Sequence, residues 1–292
     1  MKLKLVEDIN FADLSQDVET IEYVLDIDGE EIANELGMSV SEFEESLNFP
    51  TRDFVNDIYN FAYDNGILLN TIKWQEDKEL YSSEDVKILC HGSRSGIKGK
   101  IRLDVSSDSN DFGNGFYCGE TISQAGMFVS DEENPIIYII KFNAQGLNRI
   151  VFRVNTDWML AVAYYRDTLG IYADSERVRS IIDKVEQADY VVAPIADNKM
   201  FQIIDLFTGG EITDKQCQYA LSATYLGYQY VFKKLNTLNN IEIIDTCYVC
   251  PVEKSLYNKK AEVETNTSIT KSLIAKKKYS GIGQYIDQIL RS

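Results

Sequence analysis

Histidine is almost missing from this chain: His91 is the only one in 292 residues. A metal centre or proton relay built from several imidazoles is therefore excluded. Proline is scarce, with four residues, so no proline-rich linker divides the chain. The five cysteines, Cys90, Cys118, Cys217, Cys247 and Cys250, are odd in number and scattered. They do not read as a disulfide framework, and a reducing, cytoplasmic compartment is expected. Cys247-Tyr-Val-Cys250 is a lone C-x-x-C, far from the histidine, so no metal is expected there. No apolar run approaches a membrane span, and the N-terminus lacks the apolar core and cleavage site of a secretory signal; no membrane partner is expected.

Cations are also few, 29 Lys or Arg against 46 Asp or Glu, for a net charge of −17. The imbalance is concentrated at one end. Residues 1–80 hold 20 acidic against 5 basic side chains, which leaves the remainder close to neutral. Two physical regimes follow. The first, 1–80, reads as mainly helical. Glu30 to Phe43 resembles a helix-turn-helix: Ile32, Ala33 and Leu36 form an apolar face, Gly37 supplies the turn, and Ser39 or Ser41 caps the second helix. A DNA reader needs cations to replace phosphate counterions, yet this second helix carries Glu42, Glu44 and Glu45. A protein-interaction module is the simpler reading, facing a basic partner or the rest of the chain.

From residue 81 the texture becomes mixed. Strands are expected at Val86–Cys90, Pro135–Phe142, Ile150–Val154, Tyr190–Pro194, Gln229–Phe232 and Ile241–Val249. Helices are expected at Thr121–Val129, Thr156–Leu169, Ser175–Gln187, Lys199–Phe207 and Asp214–Ala223, and residues 104–115 form a turn-rich loop. Without regular βαβ alternation, an α+β domain over 81–252 is favoured. Residues 253–292 carry 8 basic against 4 acidic side chains and read as a basic tail with a terminal helix from Ile282 to Leu290.

Gly113-Asn-Gly115 is not followed by the spacing of a dinucleotide fingerprint, and Gly96-Ile-Lys-Gly99-Lys100 lacks that of a phosphate loop. Three other segments stand out in order: Cys90-His91-Gly92-Ser93, Asp111-Phe-Gly-Asn-Gly-Phe-Tyr117 and Gln229-Tyr-Val-Phe232. Together they resemble the ADP-ribosyltransferases built like the poly(ADP-ribose) polymerases and diphtheria toxin, and an uncharacterised bacterial family placed among them. The resemblance spans about residues 86–250. It implies a split β-sheet with flanking helices, and NAD as co-substrate.

Residue by residue, the resemblance implies that His91 contacts a ribose hydroxyl of NAD and that the Gly92 backbone holds the nicotinamide carboxamide. Tyr117 would wall the nicotinamide pocket, and Phe128, eleven residues on, would stack on the ring. Ala125 stands where the polymerases carry a serine, so that contact is either missing or supplied by Ser93. Gln229 stands where they carry the catalytic glutamate. Glutamine can hydrogen-bond a ribose 2′-hydroxyl, but has neither the charge that steadies an oxocarbenium-like transition state nor a basic lone pair. Three outcomes remain open: substrate-assisted transfer, a carboxylate from elsewhere such as Glu211, or a silent enzyme. Asp197 and Asn198 read as helix caps or site residues, and Asp157-Trp158 as a cap with a core aromatic.

The implied activity is transfer of one ADP-ribose to a macromolecular acceptor, protein or nucleic acid. The context implied by the resemblance is a toxin with an antitoxin partner, or a phage-defence effector. The competing readings are a silent NAD-binding or interaction protein and a helix-turn-helix regulator.

Overall fold

The computed structural model describes residues 14–196, 198–222 and 227–291, with the side chains of 198, 199, 268, 271 and 272 left aside. Five helices come first: α1 (Leu14–Leu25), α2 (Gly29–Glu35), α3 (Val40–Asn48), α4 (Arg52–Asp64) and α5 (Leu69–Tyr81). Local chemistry starts α2 and α3. Asp28 with Glu31, and Ser39 with Glu42, form reciprocal capping boxes that satisfy otherwise orphaned N–H groups. Ser39, not Ser41, is the cap. Phe43 turns inward while Glu42, Glu44 and Glu45 stay exposed, so the outer face of the second helix is anionic.

A seven-stranded sheet follows: β1 (Val86–Ser93), β2 (Phe116–Gly119), β3 (Ile136–Asn143), β4 (Arg149–Val151), β5 (Tyr190–Pro194), β6 (Tyr228–Phe232) and β7 (Ile241–Tyr248). Its order is β4-β5-β6-β2-β1-β3-β7, and all neighbours are antiparallel except β4 with β5. Interspersed are α6 (Ile122–Val129), α7 (Thr156–Tyr165), α8 (Glu176–Gln187), α9 (Asn198–Thr208) and α10 (Asp214–Ser222), with α11 (Pro251–Lys278) and α12 (Ile286–Leu290) at the end. This is an α+β architecture. β1 runs three residues beyond its expected end because Ile136, Ile137 and Tyr138 of β3 pair with Ser93, Gly92 and His91. The histidine motif is strand, not loop.

Side-chain alternation sorts the sheet's two faces. Phe116, Tyr138, Phe142, Tyr190 and Phe232 pack in one cluster with Ile21, Ile32, Phe54 and Ile58 of the N-terminal helices. Trp158, Val191, Ile204, Phe207 and Val231 belong to the opposite cluster. A third joins Ile88 and Ile139 to Val129 of α6 and Tyr257 of α11.

The acidic helices face the rest of the chain, one of the two readings the sequence left open, and share one core with the sheet. Residues 253–292, expected as a basic tail, are largely helical and bury Tyr257, Ala275, Ile286 and Ile289, while Lys259, Lys260, Lys276, Lys277 and Lys278 are exposed. The terminal helix begins at Ile286.

Polar contacts seal the same junction. The Asn70 side-chain amide donates to the Tyr248 carbonyl and to Glu253 Oε2, both at 2.6 Å. Arg52 donates to the Tyr248 hydroxyl, which donates to Asn56 Oδ1 at 2.8 Å. Asp17 pairs with Lys73 at 2.9 Å. Burial pushes the Glu253 carboxyl up to about 8 from its ordinary 4.5. A raised folded-state value favours the protonated group, so this stabilisation is complete below pH 4.5 and is lost as pH rises through about 8. Glu253→Gln keeps an acceptor for Asn70 and cannot titrate. Its thermal midpoint is expected to exceed the wild type's at pH 9, with the gap closing by pH 5, as circular dichroism melts at the two pH values would measure.

Candidate functional site

The three motif segments lie on adjacent strands. Cys90 of β1 pairs with Gly119 of β2, and Gly119 with Gln229 of β6. Segments more than a hundred residues apart in the chain thus form one row across the sheet. The β1–β2 junction itself consists of that single pair, whereas β1 matches β3 over eight residues and β2 matches β6 over four. No other residue pair links the two strands, so the seven-stranded sheet is joined near its middle by one bridge.

His91 directly follows the bridge. Its Nδ1 lies 2.7 Å from the Tyr117 carbonyl oxygen, taking the place of a ladder hydrogen bond. A carbonyl only accepts, so Nδ1 carries the proton. Burial pushes the imidazole down to about 4, which keeps it neutral at physiological pH. Nε2 is then an unprotonated acceptor. The ring lies 4.3 Å from the Phe116 ring, centroid to centroid, on the sheet face covered by the N-terminal helices.

Gly92 is constrained by packing. A Cβ there would meet the Ala125 carbonyl oxygen at 2.5 Å, so glycine is needed where α6 crosses β1. Ala125 is buried in the same crossing. Ser93 is the half-buried last residue of β1. Phe128 is 67% exposed on the outer side of α6, and its ring lies 5.8 Å from the guanidinium of Arg94, the residue that follows Ser93. It is not a core aromatic; it stands beside the end of β1.

The Tyr117 ring packs on the opposite face from His91. Its hydroxyl donates to the Gly113 carbonyl at 2.7 Å and accepts from Phe112 N–H at 3.2 Å. Tyr117 therefore pins the turn that precedes its own strand, and Gly113, at φ +67°, makes that turn possible. His91 and Tyr117 meet through the tyrosine backbone, not side chain to side chain.

Gln229 is 7% exposed, on the Tyr117 face. Its Nε2 donates to Asp111 Oδ2 at 2.7 Å and to the Pro194 carbonyl at 3.1 Å. Both partners accept, so the nitrogen end of the amide faces them and Oε1 is turned away. Asp111 Oδ2 also accepts from Ala196 N–H at 2.9 Å, while Oδ1 takes two hydrogen bonds from Arg166, at 3.0 and 2.5 Å. Burial raises the Asp111 carboxyl above its ordinary value, and Arg166 opposes that shift. Every polar partner of Asp111 donates, so the group is a carboxylate. Arg166 also donates to the Ala196 carbonyl and lies 4.4 Å from the Phe201 ring. Glu120, directly after β2, accepts from Tyr228 N–H at the start of β6.

Sequence reading passed over Asp111, Arg166 and Glu120. One signal was available: Arg166 is an isolated cation ending the apolar run Leu160–Tyr165. Glu211 is exposed in the turn between α9 and α10 and does not join this cluster. The α7 cap is Asn155, which accepts from Trp158 N–H; Asp157 instead pairs with Arg177, and Trp158 is core. Asp197 and the side chain of Asn198 lie outside the described residues. Cys247 and Cys250 are buried free thiols. Among the described residues no group of three or more side chains is arranged to hold a metal, and no helix is long and apolar enough to cross a membrane.

No curated protein and no solved structure matches the chain. A family profile described as protein of unknown function (DUF3990) matches residues 87–243, from β1 to the start of β7 and including all three motif segments. The chain belongs to that family.

Proposed function

We propose that this chain is a mono-ADP-ribosyltransferase that uses NAD as co-substrate. The observation that carries the reading is the row Cys90–Gly119–Gln229 at the one-pair bridge of the sheet. It brings together the three segments on which the resemblance rests. The side chains suit the substrate. His91 Nε2 on one sheet face and Gln229 Oε1 on the other are acceptors flanking the bridge, and each can accept from a ribose hydroxyl that reaches its own side. Phe128, exposed beside the end of β1, is available to stack on a flat ring. Gly92, Ser93 and Tyr117 flank the bridge through backbone and ring.

In the reaction, the bond between nicotinamide nitrogen and ribose C1′ breaks, and nicotinamide leaves with the electron pair as a neutral molecule. An acceptor oxygen or nitrogen then bonds to C1′ and releases its proton to solvent. Holding the ribose by its hydroxyls limits its motion while positive charge develops at C1′.

The test is incubation of the protein with NAD labelled on its adenylate, alone and with cell lysate, scoring free nicotinamide and labelled macromolecules. Nicotinamide release with label on protein or nucleic acid is expected. NAD bound without release would instead make this a silent NAD-binding module, and neither binding nor release would reject the reading.

A further inference from the structure

Asp111 is an unusual neighbour for an amide at the position of a catalytic carboxylate. It is 5% exposed, it is anchored from behind by Arg166 and Ala196 N–H, and it spends its remaining capacity on Gln229. An amide beside apolar groups can turn end for end; this one cannot, because both of its hydrogens face acceptors, Asp111 Oδ2 and the Pro194 carbonyl. The contact has a second effect. A negative charge 2.7 Å from the amide nitrogen draws the amide dipole into line, so the opposite atom, Oε1, becomes a stronger acceptor.

We infer that Asp111 is a positioning residue for Gln229, and that the pair, held by Arg166, does together what a single carboxylate would do at position 229. The inference rests on the proposed transferase reading. It reverses the obvious expectation for the glutamine. Restoring glutamate at 229 would place two carboxyl groups within hydrogen-bond distance, and such a pair holds on to one proton. The protonated glutamate would donate to Asp111 and present its carbonyl oxygen outward, imitating glutamine. Once that proton is lost, two anions repel each other in a buried site. The titratable groups facing the pair are Arg166, already paired with Asp111, and the Tyr117 hydroxyl, which burial and the nearby Asp111 keep neutral; no other titratable side chain hydrogen-bonds Gln229 among the described residues.

The experiment compares nicotinamide release by wild type, Gln229→Glu, Asp111→Asn and the swapped double variant from pH 5 to 9, with thermal unfolding of each. Wild type is expected to show no pH limb from this pair. Gln229→Glu should approach wild-type kcat at low pH and lose about tenfold or more as pH rises, with a smaller change in KM. The swap returns one carboxylate and one amide to the pair, and is expected to recover most of the loss and to abolish the limb. Asp111→Asn alone should lower kcat about tenfold. If that variant unfolds, the Gln229→Glu profile and the double variant decide the matter. Gln229→Glu as active as wild type at every pH, or a double variant no better than the singles, would overturn the inference while leaving the transferase reading intact. A wild type that neither binds nor cleaves NAD would remove both.

Discussion

His91→Asn is expected to keep the fold and to lower nicotinamide release by about 100-fold. The two nitrogens of this imidazole do different things. Nδ1 holds β2 by donating to the Tyr117 carbonyl. Nε2 is the acceptor that the proposed function assigns to the substrate. An asparagine amide reaches about as far as Nδ1, so it can hold Tyr117 while offering nothing at the Nε2 position. His91→Ala removes both functions and should also lose thermal stability, because it leaves the Tyr117 carbonyl without its partner and a gap beside Phe116. The comparison therefore separates chemistry from packing. Equal activity in wild type and His91→Asn would show that Nε2 takes no part.

The same ring predicts a pH profile. Its folded-state value of about 4 lies below the ordinary 6.5. A depressed histidine stabilises the fold fully above 6.5, and the contribution fades as pH falls through 4. Activity should be flat on its account from neutral pH down to about 5, then drop as Nε2 is protonated. A rate limb near pH 6.5 would mean an imidazole exposed to water, contrary to the packing on Phe116.

Deleting residues 1–81 is expected to yield a chain that does not fold. The helices α1–α5 and one sheet face bury a common set of side chains, among them Phe54, Ile58, Phe116, Phe142 and Phe232. Without the helices that aromatic face would meet water, an exposed patch far beyond what a monomer carries. The full chain should unfold in one transition. Two tryptophans make this measurable, since Trp74 is on α5 and Trp158 is buried under the opposite face. Trp74→Phe and Trp158→Phe variants, followed by fluorescence in urea, should give coincident midpoints. Two separated midpoints, or a soluble and cooperative fragment 82–292, would show two independent units.

Much of this architecture was legible in the sequence because it is carried by periodicity. The near-continuous apolar run Ile136–Phe142, buried on both faces, and the punctuated helices α6 to α10 announce themselves, within a few residues, at their observed places. What stayed hidden depends on register between distant strands. Nothing in Asp111-Phe-Gly-Asn-Gly says that its first residue ends against Gln229, because that contact needs β2 and β6 to pair at Gly119 and Gln229. Composition likewise does not show what the two ends of the chain bury. Charge describes the outer face of a helix, and α11 carries lysines there while burying Tyr257 and Glu253. The motif glycine Gly92 was visible, but the helix that demands it was not.

The one-pair bridge also bears on how the protein comes off the ribosome. β2 finds almost all its pairing in β6, which is synthesised roughly 110 residues later, a delay of about 5–20 s at ordinary elongation rates. Until then β2 has one bridge to β1 and nothing on its other edge, and the Gln229 position does not exist. A nascent chain therefore carries His91 for about half of its synthesis before the β2–β6 pairing can form. On the proposed function, a chain truncated before β6 is expected to be inert towards NAD, because the position of Gln229 forms only when β6 pairs with β2.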